Sequence, residues 1–350
     1  MKKHWWKALG VVIVLYVLIV GMLTPLHSGI EEVSKQRARA GDTLTIEVLG
    51  YNTLFAAPNA RVRVWLSIDS SHAIAAATVK PTDDQHLSAT FYIPKTLPSD
   101  EKITFATLVI DNATQGNCLL PNAVTLTRDT MSHDTILTGY SQISQLTPTS
   151  GLTFPFRNIL AETIRNTYFH VALWLAMFIL LATSSITAIL FLHKGKRRHD
   201  QMSVALAELG TLYGILGLVT GAIWAKYTWG SYWSFDIKQN MAAVAMLIYF
   251  AYFVLRSSFD DPEKEARIAA VFNIFAFVSL IPLLFVIPRM WDSLHPGNGG
   301  NPALGSDDLD NTMRLVFYPA VIGWTLIAVW MSWLRYRILR LEYYAASEFH

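Results

Sequence analysis

Six separate runs of apolar residues, roughly 8–25, 167–192, 202–224, 241–255, 268–288 and 315–334, constrain this chain more than any other feature. A bilayer core is crossed by about 20 apolar residues of helix, and each run reaches or approaches that length. Overall, 52% of the 350 residues are hydrophobic and 15% are charged, and the apolar residues come in blocks, which predicts spanning helices rather than one large core. The first run follows Lys2, Lys3 and Lys7 but leads into Thr24-Pro25-Leu26-His27, a poor cleavage site, so it reads as a retained anchor. Orientation follows from the basic residues. Lys194, Lys196, Arg197 and Arg198 share one short loop, Arg335, Arg337 and Arg340 follow the last run, and Arg256 and Arg267 flank another loop. Basic loops stay in the cytoplasm, which predicts six spans with both termini cytoplasmic, a tail at 341–350, and outward loops at 225–239 and 289–314.

Between the first two spans lie residues 27–160, an outward-facing insert on this topology. Leu44, Ile46 and Val48, then Val62, Val64, Leu66 and Ile68, then Leu87, Ala89, Phe91 and Ile93 alternate as strands do. Ile103–Ile110 and Ala123–Thr127 read as further strands, and turn-rich pieces such as Pro81-Thr82-Asp83-Asp84 separate the runs. The expectation is a small antiparallel β-sandwich with its core at about 40–128, followed by a Ser/Thr/Gly-rich linker at 129–160. The fold class predicted is therefore an α-helical polytopic membrane protein with an inserted all-β domain: an anchor at 1–26, the insert, and a five-span domain at 161–340.

Several functions are excluded. A net charge of +2 gives no reason to expect a nucleic-acid partner. The single cysteine, Cys118, rules out an internal disulfide, a Cys-based zinc site and a thiol-exchange pair. No CxxCH occurs, so the chain does not itself carry covalently attached heme. His72, His86 and His133 in the insert are spaced as surface histidines rather than as ligands. No GxxxxGK[ST] phosphate loop is present either.

One segment carries chemistry. From Trp224 to Phe235, twelve residues hold Trp224, Trp229, Trp233, Tyr227, Tyr232 and Phe235, with Gly230 between and Asp236 closing the run. Aromatic residues favour membrane interfaces, but an interfacial belt does not need this density in one loop. A flat apolar ligand does, because stacked rings give a large contact area at little entropic cost. Two of the ten histidines fall at the same membrane level: His170, about one turn inside the second span, and His295, after the fifth. Each alone fits a hydrogen-bonded interfacial histidine. Together, beside an aromatic platform, two imidazoles suit the axial positions of heme iron.

The aromatic run resembles the tryptophan-rich "WWD" signature of heme-handling proteins in cytochrome c biogenesis, and within that group the chain is most similar to the heme exporter protein C family of the cytochrome c maturation system. The likeness covers roughly 160–340 and rests on Tyr168-Phe169-His170-Val171, Val219-Thr220-Gly221, Trp224 to Asp236, Phe259-Asp260-Asp261, Pro282, Trp291 and Leu294-His295. It implies heme b held by His170 and His295 as axial ligands, with Trp224, Trp229, Trp233, Tyr232, Phe235 and Asp236 forming the platform. Tyr232 and Phe235 stand where the family often has Trp, and the long insert departs from its usual short form. The resemblance further implies a non-enzymatic role in the bacterial inner membrane. Its implied partners are a small one-span helper subunit, a periplasmic heme chaperone and an ATP-driven release complex. A WWD-type synthetase of the other cytochrome c pathway, which has more spans and extra membrane histidines, is the nearest alternative. A b-type membrane cytochrome would need histidine pairs deeper in facing helices. Lys226, Lys238, Arg289 and Arg314 are candidates for gripping propionates or for anchoring at the interface. Glu208 is expected to snorkel to the cytoplasmic interface, and Asp260 or Asp261 to cap the fifth span.

Overall fold

The first helix, α1 (Trp5–Leu23), ends at Thr24, whose extended backbone turns the chain into a run of nine strands. The computed structural model describes residues 4–99, 101–128, 138–143, 145–148, 151–295 and 309–348, with side chains described through residue 345. Lys2, Lys3, His133, Pro296 and Gly297 lie outside the described residues. The chain forms two compact units, Pro25–Ala161 on one hand and Met1–Thr24 with Glu162–His350 on the other.

The β unit holds two sheets. One has the order β1 (Gly29–Val33), β3 (Thr43–Tyr51), β7 (His86–Tyr92), β6 (Thr78–Pro81); the other runs β2 (Arg37–Arg39), β9 (Gly116–Thr127), β8 (Ile103–Asn112), β4 (Val62–Ser67), β5 (Ala73–Ala75). Pairing is antiparallel except for β2 with β9. Alternation sets the faces: Leu44, Ile46, Val48, Leu87, Ala89 and Phe91 point inward from one sheet, and Val64, Leu66, Ala106, Leu108 and Ile110 from the other. Cys118 joins this core, where burial pushes its thiol up to about 12 and leaves it protonated and inert. Two strands, β1 and β2, precede residue 40, so the ordered region begins earlier than hydrophobic alternation indicates. Part of the expected linker is packed structure. Ile143 and Leu146 cover Trp65 and Val109 on the outer face of the five-stranded sheet, and Thr147 donates its backbone N–H to Asp111 Oδ1 at 2.6 Å. His72 and His86 each donate Nδ1–H to the aspartate three residues earlier, Asp69 and Asp83, closing two like turns.

The membrane unit contains the expected six helices long and apolar enough to cross a bilayer. After α1 come α2 (His170–Lys194), α3 (Arg197–Trp229), α4 (Ile237–Arg256), α5 (Pro262–Ile281) and α6 (Asn311–Glu348). Small residues let the backbones approach, the packing device of helices in lipid. Gly10 and Gly323 seat α1 against α6, while Gly210, Gly214, Gly217 and Gly221 on α3 leave room for Leu181, Met177, Trp174 and His170 of α2. Polar side chains knit the interior. Asn273 of α5 donates to Ser184 and Ser203 at 2.8 and 2.9 Å, and Arg256 forks onto Asp200 at 2.8 and 2.9 Å. Glu208 does not reach for solvent alone: Arg335 of α6 clamps it at 2.6 and 3.0 Å. Asp261 caps α5 by accepting from Glu263 N, with Pro262 at the first helical position.

Candidate functional site

The site lies at the end of the membrane unit where α1, α3 and α5 finish. Apolar composition alone puts the end of the third span at 224, but α3 continues to Trp229, through the polar Lys226 and Thr228. Gly230, with φ +84°, stops it by adopting the left-handed conformation that a side chain disfavours. Trp224 and Trp229 therefore stand on the last turns of a helix, and only residues 230–236 form the loop. That loop is tied to the start of α4. Gln239 Oε1 accepts from Ser234 N at 2.9 Å, and Asn240 donates to the Phe235 carbonyl at 2.8 Å, holding Phe235 at φ +58°. Tyr232 and Phe235 are exposed, with Lys226 lying over the Tyr232 ring at 5.8 Å.

His170 is the first residue of α2, preceded by a 3₁₀ stretch over Ala161–Tyr168 rather than by an α-helical turn. Side chains leaving that stretch fix it in place: Arg165 donates to the Gly21 and Thr24 carbonyls, and Asn166 to the Thr220 carbonyl. The His170 ring lies on the glycines of α3, where a Cβ at Gly221 would come within 2.5 Å of Cε1. Its Nδ1 is 2.8 Å from the Gly217 carbonyl oxygen. A carbonyl only accepts, so Nδ1 carries the proton and Nε2 keeps its lone pair.

His295 is delivered by a change of helix type. Pro282 lacks an N–H, and α5 gives way to a π turn (Pro282–Val286) and then a 3₁₀ turn (Ile287–Arg289) before the chain reaches Ser293 and Leu294. Buried Asp236, the N-cap of α4, gathers this loop. It accepts from Lys238 N at 2.9 Å, Ser293 Oγ at 3.0 Å, Leu294 N at 2.8 Å and His295 Nδ1 at 2.8 Å. Burial acts to raise the Asp236 carboxyl, but the donors from Leu294, His295, Lys238 and Ser293 outweigh it and hold the group below its ordinary value. Burial likewise keeps His295 below the usual histidine range despite the neighbouring carboxylate, so the ring is neutral near pH 7. With its proton on Nδ1, His295 too presents an unprotonated Nε2.

Both imidazoles pack beside α3. Helix α3 links them: Gly217 and Gly221 meet His170, and Trp224, at the next helical step on the same face, packs 5.8 Å from the His295 ring. Trp229 stands edge-on to His295 at 4.7 Å and to Trp224 at 4.8 Å. Trp233, Tyr232 and Phe235 join no ring-to-ring contact among the described residues. The expected cluster thus resolves into two parts, with His170, His295, Trp224, Trp229 and Asp236 together and the other three aromatics on the loop beyond. The basic candidates have local partners: Lys226 donates to the Gly230 carbonyl, Arg289 to that of Phe285, and Arg314 to Asn311 Oδ1. Reading the sequence missed Gly217, Ser293, Gln239 and Asn240. Of these, only the glycine spacing on α3 gives a signal.

The chain's residues 141–348 match the family model for heme exporter protein C. Among curated relatives, heme exporter protein C of Bradyrhizobium diazoefficiens is 28% identical over 174 residues, 48% of this chain and 63% of that protein. The Haemophilus influenzae protein of the same name is 27% identical over 184 residues, 52% of this chain and 73% of its own. Cytochrome c biogenesis protein CcsA of Prochlorococcus marinus is 38% identical over 76 residues, 22% of this chain and 24% of its own. The chain thus spans a little under two thirds of the first of these relatives. The family match runs from the packed segment after the strands through the last helix and takes in both histidines and the whole aromatic run. This multi-pass membrane chain belongs to the heme exporter protein C family.

Proposed function

We propose that this protein binds heme between His170 and His295 and delivers it to a periplasmic heme chaperone for the assembly of c-type cytochromes. One observation carries the reading: two imidazoles on one face of α3 each commit Nδ1–H to a fixed acceptor and leave Nε2 open. Axial ligands of heme are held in this way, because the partner of one nitrogen fixes the tautomer and aims the other. Trp224 and Trp229 would bound the porphyrin beside His295, and Trp233, Tyr232 and Phe235 would extend the apolar surface toward an incoming partner. Asp236 orients His295 rather than touching the porphyrin. The iron supplies two coordination positions, and the protein supplies two neutral nitrogens. The proposal puts the site on the periplasmic face of the bacterial inner membrane, with both termini cytoplasmic, as the basic loops favour. A one-span helper and an ATP-driven release complex complete the expected partners, and the chain itself acts as a delivery protein rather than an enzyme.

The test is an absorption spectrum of the detergent-purified protein, expressed with its helper and chaperone. Six-coordinate low-spin heme is expected. His170→Ala or His295→Ala should each weaken retention, both together should abolish it, and imidazole should restore part of the Soret band to a single variant. Full heme content in the double variant would overturn the assignment. The 76-residue likeness to CcsA favours a second reading, a synthetase component. Covalent transfer of heme to a CxxCH peptide by the purified chain alone would favour that reading.

A further inference from the structure

The two imidazoles are oriented alike but supported unequally. His170 donates an Nδ1–H hydrogen bond to a neutral backbone carbonyl, that of Gly217, which also accepts from Thr220 Oγ1 at 3.1 Å. His295 donates an Nδ1–H hydrogen bond to the buried carboxylate of Asp236, which accepts from three further donors. Hydrogen bonds to a carboxylate are roughly twice as strong as those between neutral groups. They also raise the basicity of the opposite ring nitrogen toward a metal. A neutral carbonyl shared with a second donor gives less of that effect. The mountings differ as well. His170 rests against Gly217 and Gly221, with Thr220 Oγ1 at 3.5 Å from its Nδ1, whereas His295 is bracketed by Trp224 and Trp229.

Resting on the bis-histidine reading above, we infer that His295 is the retained ligand and His170 the exchangeable one, so that an incoming donor enters from the α2 side. In that exchange the bond from His170 Nε2 to iron breaks as a bond from a neutral incoming donor forms. No electron is transferred, and the proton stays on His170 Nδ1, hydrogen-bonded to the Gly217 carbonyl. Asp236 and Gly221 are then positioning residues, one strengthening the ligand that stays and the other setting the seat of the ligand that leaves.

Carbon monoxide serves as the incoming donor in the full-length, heme-loaded, reduced protein. Whichever histidine remains sits opposite it, and the C–O and iron–carbon vibrations report that histidine's donor strength. Asp236→Asn, which keeps an N-capping side chain, should shift both frequencies from the wild-type values. His170→Ala should leave the frequencies at wild-type values and raise apparent carbon monoxide affinity by about tenfold, since the binding-competent fraction no longer waits on a departing ligand. Gly221→Ala should behave like His170→Ala, because the added Cβ displaces the ring without altering it. Wild-type frequencies in Asp236→Asn, together with wild-type frequencies in His295→Ala, would make His170 the retained ligand and overturn the inference. A wild-type protein that is not six-coordinate low-spin before gas is added would instead overturn the bis-histidine reading, and this inference with it.

Discussion

The two units of this chain are built inside out with respect to each other. In the β unit Ile46, Leu66, Ala89, Phe91 and Leu108 are wholly buried, and the turns outside carry the Asp69–His72 and Asp83–His86 pairs. In the membrane unit Val12, Leu247 and Val254 face outward, while Ser184, Ser203, Asn273 and Asp200 are buried between helices. The difference is one of solvent. Water drives apolar surface inward, whereas lipid is as apolar as leucine, so helices associate through close packing at small residues and through polar contacts. Buried polar groups occur in both units, Asp111 and Asn112 in one and Ser184, Asp200 and Asn273 in the other, and between helices they are a principal means of association. In the second unit buried Asp236 also orients the ring of His295.

The largest effect is expected where the β unit is cut inside its packed boundary. Residues 25–161 expressed alone should give a cooperative β-rich unfolding transition by circular dichroism. Residues 40–128 should lose that cooperativity altogether, because they lack β1, β2 and the cover from Ile143 and Leu146. An equally sharp transition in the shorter fragment would show that those pieces are accessory.

Single substitutions come next. Phe91→Ala should cost about 3–5 kcal/mol through the cavity it leaves, read by denaturant unfolding of residues 25–161. Asp200→Ala in the membrane unit should cost about 3 kcal/mol by stranding Arg256. That is the low end for a broken buried pair, because Glu265 still faces Arg256 at 3.0 Å. Thermal unfolding in detergent reads this loss, and a loss under 1 kcal/mol would show that lipid or water replaces the aspartate.

A matched pair of buried asparagines sharpens the contrast. Asn112 donates to the Thr53 carbonyl at 2.7 Å in the β unit, and Asn273 joins Ser184 and Ser203 in the bundle. Asn112→Ala should cost about 1–3 kcal/mol, since it leaves a carbonyl unpaired. Asn273→Ala should cost only about 0.6–1.7 kcal/mol, because helices separated in a membrane find other partners. Equal costs would remove the distinction. Smaller still is Trp229→Ala, which should lose about 0.5–1.5 kcal/mol of ring contact beyond area burial. It should weaken heme retention without lowering the amount of inserted protein, read as heme per protein at matched membrane abundance.

How much of this was legible in the sequence follows the same division. The spans could be read because hydropathy responds to lipid directly, and strands such as Leu44–Val48 and Leu87–Ile93 because one face meets a core. The ends of helices were less visible. Composition turns polar before α3 stops, and the stop is made by the left-handed Gly230. Strands β1, β2, β5 and β6 are too short or too polar to alternate, and they exist because β3, β9, β4 and β7 offer edges to pair with. Within the site, the histidines and the aromatic run stood out by residue type. Their supports, the Gly217 carbonyl and the Ser293 hydroxyl, are ordinary groups that acquire a role only through contacts distant in sequence, such as the 57-residue separation of Ser293 from Asp236.

Every residue of the proposed heme site lies in the membrane unit. Arg165 donates to both the Gly21 and the Thr24 carbonyls, so the two ends of that unit lie close enough for a short join to replace residues 25–161. The direct measurement is heme per protein, from absorbance against amino-acid analysis, in the chain carrying that deletion. The full-length ratio and an unchanged low-spin spectrum are expected. A ratio that collapses while the six helices remain correctly inserted would contradict that expectation and make the β unit part of the site.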